Sequence, residues 1–400
     1  MDHTMEKKRQ EISWRNWDPE DFLTEERDLP QEAALELRER FDRQAGGFAG
    51  LTEEQEDGVL LFLLEYARRG PDDHARAMAE TMLERRGVKG GGLLACAHLE
   101  AYAQTGRPIY RESARGILDG ALKELRLFSG CFAQPGDDTV STAWNAQMIA
   151  ALAKASRVLG DERYLRAAEK TWLFLKSRLT QPNGRLWRRW RNQTPMEEGR
   201  LLDYGFYCWA LAELYETNFA VSCLREAEIL ADRMAEIFRD PRGGIYDLDD
   251  ASAAGRGAAG LALSKLARLT AVERYRELAR EQLSWLARPE QEALEGFGLL
   301  GMVEMLRPRR ELVCVSAGKI PAWLAPVGEE YRLNVLAKTY DNSWSLENAA
   351  PYVKEFPIPE KGDRLYLCRD GVCETAVEGL FQFYQHLSLE SGREFCFQAQ

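Results

Sequence analysis

Three aspartates stand where this chain is best placed to do chemistry. Asp138 precedes a helix that starts near Thr142, Asp203 opens the next long helix, and Asp247 follows the turn Gly243-Gly244. Paired carboxylates cleave glycosidic bonds, one kept protonated as the acid while the other stays charged. Asp138, Asp203 and Asp247 are the residues expected to supply such a pair. The competing reading is structural, because aspartate before a helix commonly caps it.

Aromatic side chains gather at the same predicted hairpin ends. Trp144, Tyr204, Trp187 and Tyr246, with Asn145 beside Trp144, form the expected ligand-binding set. Sugar rings stack on aromatic faces, and small-ligand pockets combine apolar walls with a few polar groups. Ordinary packing buries Trp and Tyr equally well. Histidine argues the other way. Of His3, His74, His98 and His386, His98 is the candidate for a barrel interior, and Leu94, Ala95, Ala101 and Tyr102 around it suit a packed helix. Paired-histidine acid–base chemistry is not expected.

Cys368 and Cys373 have the spacing of a redox pair or of two metal ligands. A structural zinc normally wants four ligands, and no second pair or nearby histidine completes the set. No metal and no cofactor is expected. A turn through Asp370-Gly371 would bring the two thiols together, with the reduced state as the default in a cytoplasmic protein. Trp187-Arg188-Arg189-Trp190-Arg191 is a compact basic-aromatic run, read as a loop with internal salt bridges. No P-loop, dinucleotide fingerprint, nucleophile elbow or H-E-x-x-H occurs.

The elements that must position these residues repeat. Tyr110, Tyr164, Cys223 and Tyr275 each open a helix, at intervals of 54, 59 and 52 residues. In the second copy Leu165, Ala168, Trp172, Leu175 and Leu179 step by 3, 4, 3 and 4, which is one face of an α-helix. Other helical stretches precede them, at 92–104, 142–158, 199–216 and 256–270. Gly46-Gly47-Phe48, Gly130-Cys131-Phe132, Gly184-Arg185-Leu186-Trp187 and Gly243-Gly244-Ile245-Tyr246 each follow a second helix, where glycine permits the turn. Further helices at 31–42, 53–69, 71–86, 108–126, 272–287 and 290–306 bring the expected number to about twelve. Six hairpins fit a closed α/α barrel over 31–310. An open solenoid is the alternative.

Beyond Arg310 the pattern changes to strands at 311–316, 332–338 and 365–369 and helices at 347–353 and 375–387, punctuated by proline. This is a small C-terminal α/β segment, 311–400. Residues 1–30 read as irregular. The chain of 400 residues carries 53 Lys+Arg against 64 Asp+Glu, a formal charge of −11. A phosphate-binding face wants a basic excess, so nucleic acid is not an expected partner. There is no apolar run long enough for a membrane span and no signal-peptide core, so the expected location is the cytoplasm.

Asp137-Asp138-Thr139-Val140-Ser141-Thr142-Ala143-Trp144-Asn145, followed by Met148 to Ala155, resembles a motif of the thioredoxin-domain-containing, spermatogenesis-associated protein family. Gly160-Asp161-Glu162-Arg163-Tyr164-Leu165, Leu202-Asp203-Tyr204-Gly205-Phe206, Leu214-Tyr215-Glu216-Thr217 and the C-x4-C of Cys368 and Cys373 resemble further parts of it, in the same order. The resemblance implies an α/α six-hairpin barrel like those of sugar epimerases and some glycoside hydrolases, and supports Trp144-Asn145 as pocket lining. It implies little about activity.

Three departures stand out. The family's N-terminal thioredoxin domain is not found, although Ile12 to Trp17 and Phe22 resemble its lead-in. The family's histidine-bearing loop is missing where Arg86 to Gly92 runs straight into Leu93. Ala253-Ala254-Gly255-Arg256-Gly257 replaces the family's P-S-G-N-S. Three readings follow: a sugar-binding or weakly carbohydrate-active pocket, an interaction scaffold for a protein partner with an eroded site, and a thiol-redox protein acting through Cys368 and Cys373. The scaffold reading expects an exposed apolar patch around Gly90 to Leu94.

Overall fold

The computed structural model describes residues 28–70, 72–240, 244–247, 253–286, 296–307, 310–369, 372–373 and 376–391. The expected N-terminal lead-in lies outside the described residues.

Among the described residues, twelve helices build the barrel. The inner ones are α2 (Glu53–Arg69), α4 (Gly92–Thr105), α6 (Thr142–Leu159), α8 (Leu201–Asn218), α10 (Ala253–Thr270) and α12 (Gly296–Leu306). The outer ones are α1 (Leu29–Arg40), α3 (Asp73–Arg86), α5 (Pro108–Glu124), α7 (Glu162–Phe174), α9 (Val221–Ile237) and α11 (Glu273–Leu286). Each inner helix packs on the next, and α12 packs back on α2. The ring is closed, which excludes the open solenoid.

The division of labour follows from side-chain pattern. Outer helix α7 buries a stripe of Tyr164, Ala167, Ala168, Thr171 and Trp172 and leaves its other face wet. Inner helix α8 is buried almost continuously from Leu201 to Tyr215. Helices this crowded need small residues where backbones meet. A Cβ on Gly205 would lie 2.8 Å from the Ala258 carbonyl carbon, and one on Gly296 would collide with the backbone of Gly58 and Val59.

After four outer helices the chain reverses through short antiparallel bridges, Asp42↔Gly47, Arg126↔Phe132, Thr180↔Leu186 and Arg239↔Ile245. The glycines expected in these turns, Gly46, Gly130, Gly184 and Gly244, adopt φ between 66° and 94°, where a Cβ is strained. Between α7 and α8 the turn expands into β2 (Trp187–Arg191) and β3 (Thr194–Glu198), with β1 (Val140–Ser141) along β2. The sequence reading had a loop here. Asn192 and Gln193, both at positive φ, turn the hairpin, and the expected salt bridges are present from Arg188 and Arg189 to Glu197, each at 3.3 Å.

The C-terminal segment runs β4 (Arg310–Ser316), α13 (Leu324–Tyr331), β5 (Asn334–Lys338), α14 (Ser343–Ala349), a 3₁₀ turn (Pro351–Glu355), β6 (Asp363–Arg369), β7 (Val372–Cys373), β8 (Val377–Glu378) and α15 (Gly379–Ser391). Helix α13 was not expected, because Pro321 and Pro326 read as breakers. Pro326 sits in the first turn of α13, where a missing N–H costs no intrahelical bond. Strand order is β5-β4-β6-β7, with β4 parallel to β5 and antiparallel to β6. The order of elements is βαβαβββα. The loop entering α13, from Ala317 to Trp323, contains no cysteine.

Candidate functional site

The inner helices run parallel, so the barrel has two unlike ends. At the end formed by their N-termini lies a cavity of about 340 Å³. Its walls come from the start of α2 (Glu53, Glu54, Asp57), the α3–α4 corner (Arg86, Gly91), the start of α6 (Ser141, Trp144, Gln147), the β2 strand (Arg188, Arg189) and the start of α8 (Arg200, Asp203).

Trp144 is half-buried and stands edge-on to Phe132, 6.1 Å between ring centroids. Gly91 leaves room for its indole, since a Cβ there would come within 3.3 Å of the Trp144 Nε1. Arg86 is buried at the end of α3 and forms ion pairs with Asp57 (3.1 Å) and Glu56 (3.4 Å). The Asp57 Oδ1 and the Arg86 Nε and Nη2 are buried without a hydrogen bond. Burial, then the neighbouring glutamates, push the Asp57 carboxyl up to about 7 against the pull of Arg86. Its proton is therefore half retained at neutral pH.

Asp203 also lines this cavity, but its two oxygens are engaged with the backbone. Oδ1 accepts from the Ala143 N–H at 3.0 Å and Oδ2 from the Arg200 N–H at 2.9 Å. Burial pushes it up to about 7 against those two donors. Asp203 thus ties the start of α6 to the start of α8. Asp247 repeats the device one unit later, its Oδ2 accepting from the Leu201 N–H at 3.1 Å, with Arg200 3.6 Å away. The alternative of capping accounts for both, with the caps reaching across hairpins. Asp138 lies outside the cavity lining, its side chain 64% exposed and paired with Arg191 at 2.9 Å.

The expected ligand-binding set separates in the same way. Asn145 is fully buried and clasps the preceding turn, accepting from the Phe132 N–H at 2.8 Å and donating to the Phe132 and Ser141 carbonyls at 2.9 Å. Tyr204 is buried, and its Oη accepts from the Leu186 N–H at 2.8 Å. Tyr246 lies under the Arg256 guanidinium, 3.9 Å from ring centroid to Cζ. Trp187 is packed against the core at the start of β2, and its carbonyl accepts from the Thr142 hydroxyl at 2.6 Å. The assignment of Asn145, Tyr204, Tyr246 and Trp187 to the pocket wall is corrected. Their polar atoms and ring faces hold the hairpin ends, and of that set Trp144 lines the cavity.

His98 is buried on α4 with Nε2 2.7 Å from the Gly87 carbonyl, the packed role expected of it. Cys96, Cys208, Cys223 and Cys314 are buried thiols pushed up to about 12 by desolvation, hence unreactive. Cys368 and Cys373 face each other across the β6–β7 hairpin and are joined by a disulfide, where the reduced state was the default expectation. Among the described residues no cluster of three or more potential ligands could hold a metal, and no helix is long and apolar enough to cross a membrane.

The opposite end is built from the C-terminal halves of the same helices and closed by α13. Each inner helix contributes an ionisable residue at a matching level: Glu65, Glu100, Lys154, Glu213, Lys265 and Glu304. Helix α13 inserts Glu329, bonded to Lys154 (2.7 Å) and Arg157 (3.0 Å). Arg332, just past it, pairs with Glu65 and Glu100. Burial opposes ionisation throughout, yet Lys265, Arg157 and Lys154 outweigh it at Glu213, held down at about 2. Arg307 and Arg268 do the same at Glu304, also at about 2. Glu65, pushed up by burial, is the exception. About 100 Å³ remains here.

Against known proteins, a third of the chain finds sequence relatives. Residues amounting to 35% of this chain are 31% identical, over 152 positions, to spermatogenesis-associated protein 20 of Mus musculus, and 30% identical over 150 positions to that of Homo sapiens. That third of the chain is similar to the spermatogenesis-associated proteins. The match spans about 19% of the length of these relatives. No family profile matches the chain. In three dimensions the barrel is similar to the Lin0763 protein of Listeria innocua (TM-score 0.60, 16% identity, 69% of this chain and 95% of that one). It is also similar to the GH76A α-1,6-mannanase of Salegentibacter sp. HEL1_6 (0.58, 15%, 70% and 98%) and to the unsaturated glucuronyl hydrolase of Bacillus sp. GL1 (0.57, 11%, 70% and 96%). The barrel thus has the α/α six-hairpin, glycosidase-like toroid fold.

Proposed function

We propose that this chain binds a sugar in the cavity at the N-terminal end of its inner helices. The observation that carries the reading is the cavity itself, monosaccharide-sized at about 340 Å³. One wall is the Trp144 ring, and another holds the buried Asp57, ion-paired with Arg86 at 3.1 Å. Small-molecule sites have this make-up. A carboxyl that keeps its proton near neutrality suits a glycosidic leaving oxygen, so Asp57 is the candidate acid.

Binding is favoured over turnover. The mannanase neighbour is known in an inactive form with two adjacent aspartates replaced. This chain does have an adjacent pair, Asp137-Asp138, but Arg191 pairs with both, at 3.4 and 2.9 Å. Asp203 is spent on two backbone amides. The scaffold reading finds less support, since Leu93 and Leu94 are buried where an exposed apolar patch was expected.

A thermal-shift titration with neutral, amino and acidic monosaccharides tests the proposal, because a ligand that binds the native state raises its melting temperature. A saturable shift that Trp144→Ala weakens for every sugar that binds is the expected result. No shift at millimolar concentrations of any of them would end it.

A further inference from the structure

The charges around this cavity are not mixed evenly. At the start of α2 carboxylates outnumber guanidiniums: Glu53, Glu56 and Asp57 all converge on Arg86, at 3.7, 3.4 and 3.1 Å. Across the mouth, on β2, the ratio is reversed, with Arg188 and Arg189 both paired with the single carboxylate of Glu197 at 3.3 Å. The two walls stand apart in the ring. β2 runs along β1, at the start of α6, and α4 separates α6 from α2. A neutral hexose would leave this polarity unanswered.

We propose that the cavity takes a bipolar sugar, one bearing an ammonium group toward the α2 carboxylates and a carboxylate toward Arg188 and Arg189. The inference rests on the sugar-pocket reading and narrows it. An ammonium donates hydrogen bonds to a wall where Glu53, Glu54 and Asp57 stand against Arg86. A carboxylate gains the planar, bidentate recognition that paired guanidiniums provide. The two ends fix the ring's orientation over Trp144.

Four probes separate the terms at pH 7 in the full chain: glucose, glucosamine, N-acetylmuramic acid and muramic acid. They carry neither charge, the ammonium alone, the carboxylate alone and both. Calorimetric affinities should rank muramic acid at least tenfold above either singly charged probe. Arg189→Ala should reduce that advantage about tenfold for the carboxylate-bearing probes and leave glucosamine unchanged. Asp57→Asn should do the converse, weakening the amino probes alone. Equal affinity for all four, or a gain from one charge only, would overturn the bipolar assignment and leave a sugar pocket standing. Binding of none would overturn both.

Discussion

The two ends of the barrel use the same residue types to opposite effect. At the α13 end, arginine, lysine and glutamate are interleaved in ion pairs, although the Arg307 Nε is also buried without a hydrogen bond, and four carboxyls (Glu100, Glu213, Glu304 and Glu329) are held below their usual range. At the N-terminal end, two aspartates are pushed up to about 7, and buried polar atoms lack hydrogen bonds. Burial is similar at both. The difference is the supply of counter-charge.

The largest effect that would break this contrast lies at the sealed end. Glu329→Ala leaves Lys154 and Arg157 short of a carboxylate, and such half-pairs cost about 3 to 5 kcal/mol. Denaturant unfolding should show it, with earlier protease cleavage in the C-terminal segment. A change below about 1 kcal/mol would mean that this network is not what holds α13. Next in size is Asp203→Ala, which strips acceptors from two buried N–H groups for about 1 to 3 kcal/mol. If instead stability holds and only binding falls, Asp203 belongs to the ligand rather than to the fold.

The ends should also respond oppositely to pH. Asp57, with its folded pKa raised above the unfolded 3.8 to about 7, binds more protons in the native state between those values. Its contribution therefore declines as pH rises from about 4 to 7. Glu213 and Glu304, lowered from 4.5 to about 2, lose theirs as pH falls from about 4.5 to 2. Melting temperature against pH should peak between these windows, and Asp57→Asn should make the upper limb shallower without touching the lower one, the remaining slope coming from Asp203. A wild-type curve flat from pH 4 to 8 would contradict the raised Asp57 pKa. The smallest effect is that of Trp144→Ala. A half-buried ring at the cavity wall should lower stability by about 1 kcal/mol, well short of a fully buried aromatic, while ligand affinity drops about tenfold. Calorimetry on the folded variant separates the two.

The barrel was legible because helical periodicity and glycine turns are local signals that recur at 52 to 59 residues. The β2–β3 hairpin was not, because Trp187 to Arg191 has no apolar alternation to mark a strand. Asp57 was hidden inside the acidic run Glu53 to Asp57, where first-turn acids read as dipole partners. Its significance comes from Arg86, which is distant in sequence. Asp203 reads as a helix start and Asp247 as the end of a glycine turn, but a single chain does not reveal that each reaches the helix of the preceding unit. The charged ring left a trace that went unread. Glu65, Glu100, Glu213, Lys265 and Glu304 each follow by four an apolar residue lining the same cavity, Leu61, Cys96, Trp209, Leu261 and Leu300.

Gly296 pressed against Gly58 and Val59 marks the seam where the last inner helix meets the first. The other inner interfaces join successive hairpins and can form as each emerges during synthesis. This one joins segments some 240 residues apart, so the apolar flank of α2 remains uncovered until α12 has been made. The seam is therefore the step at which a nascent chain is most open to association with a second copy of itself, and at which a chaperone would have most to shield.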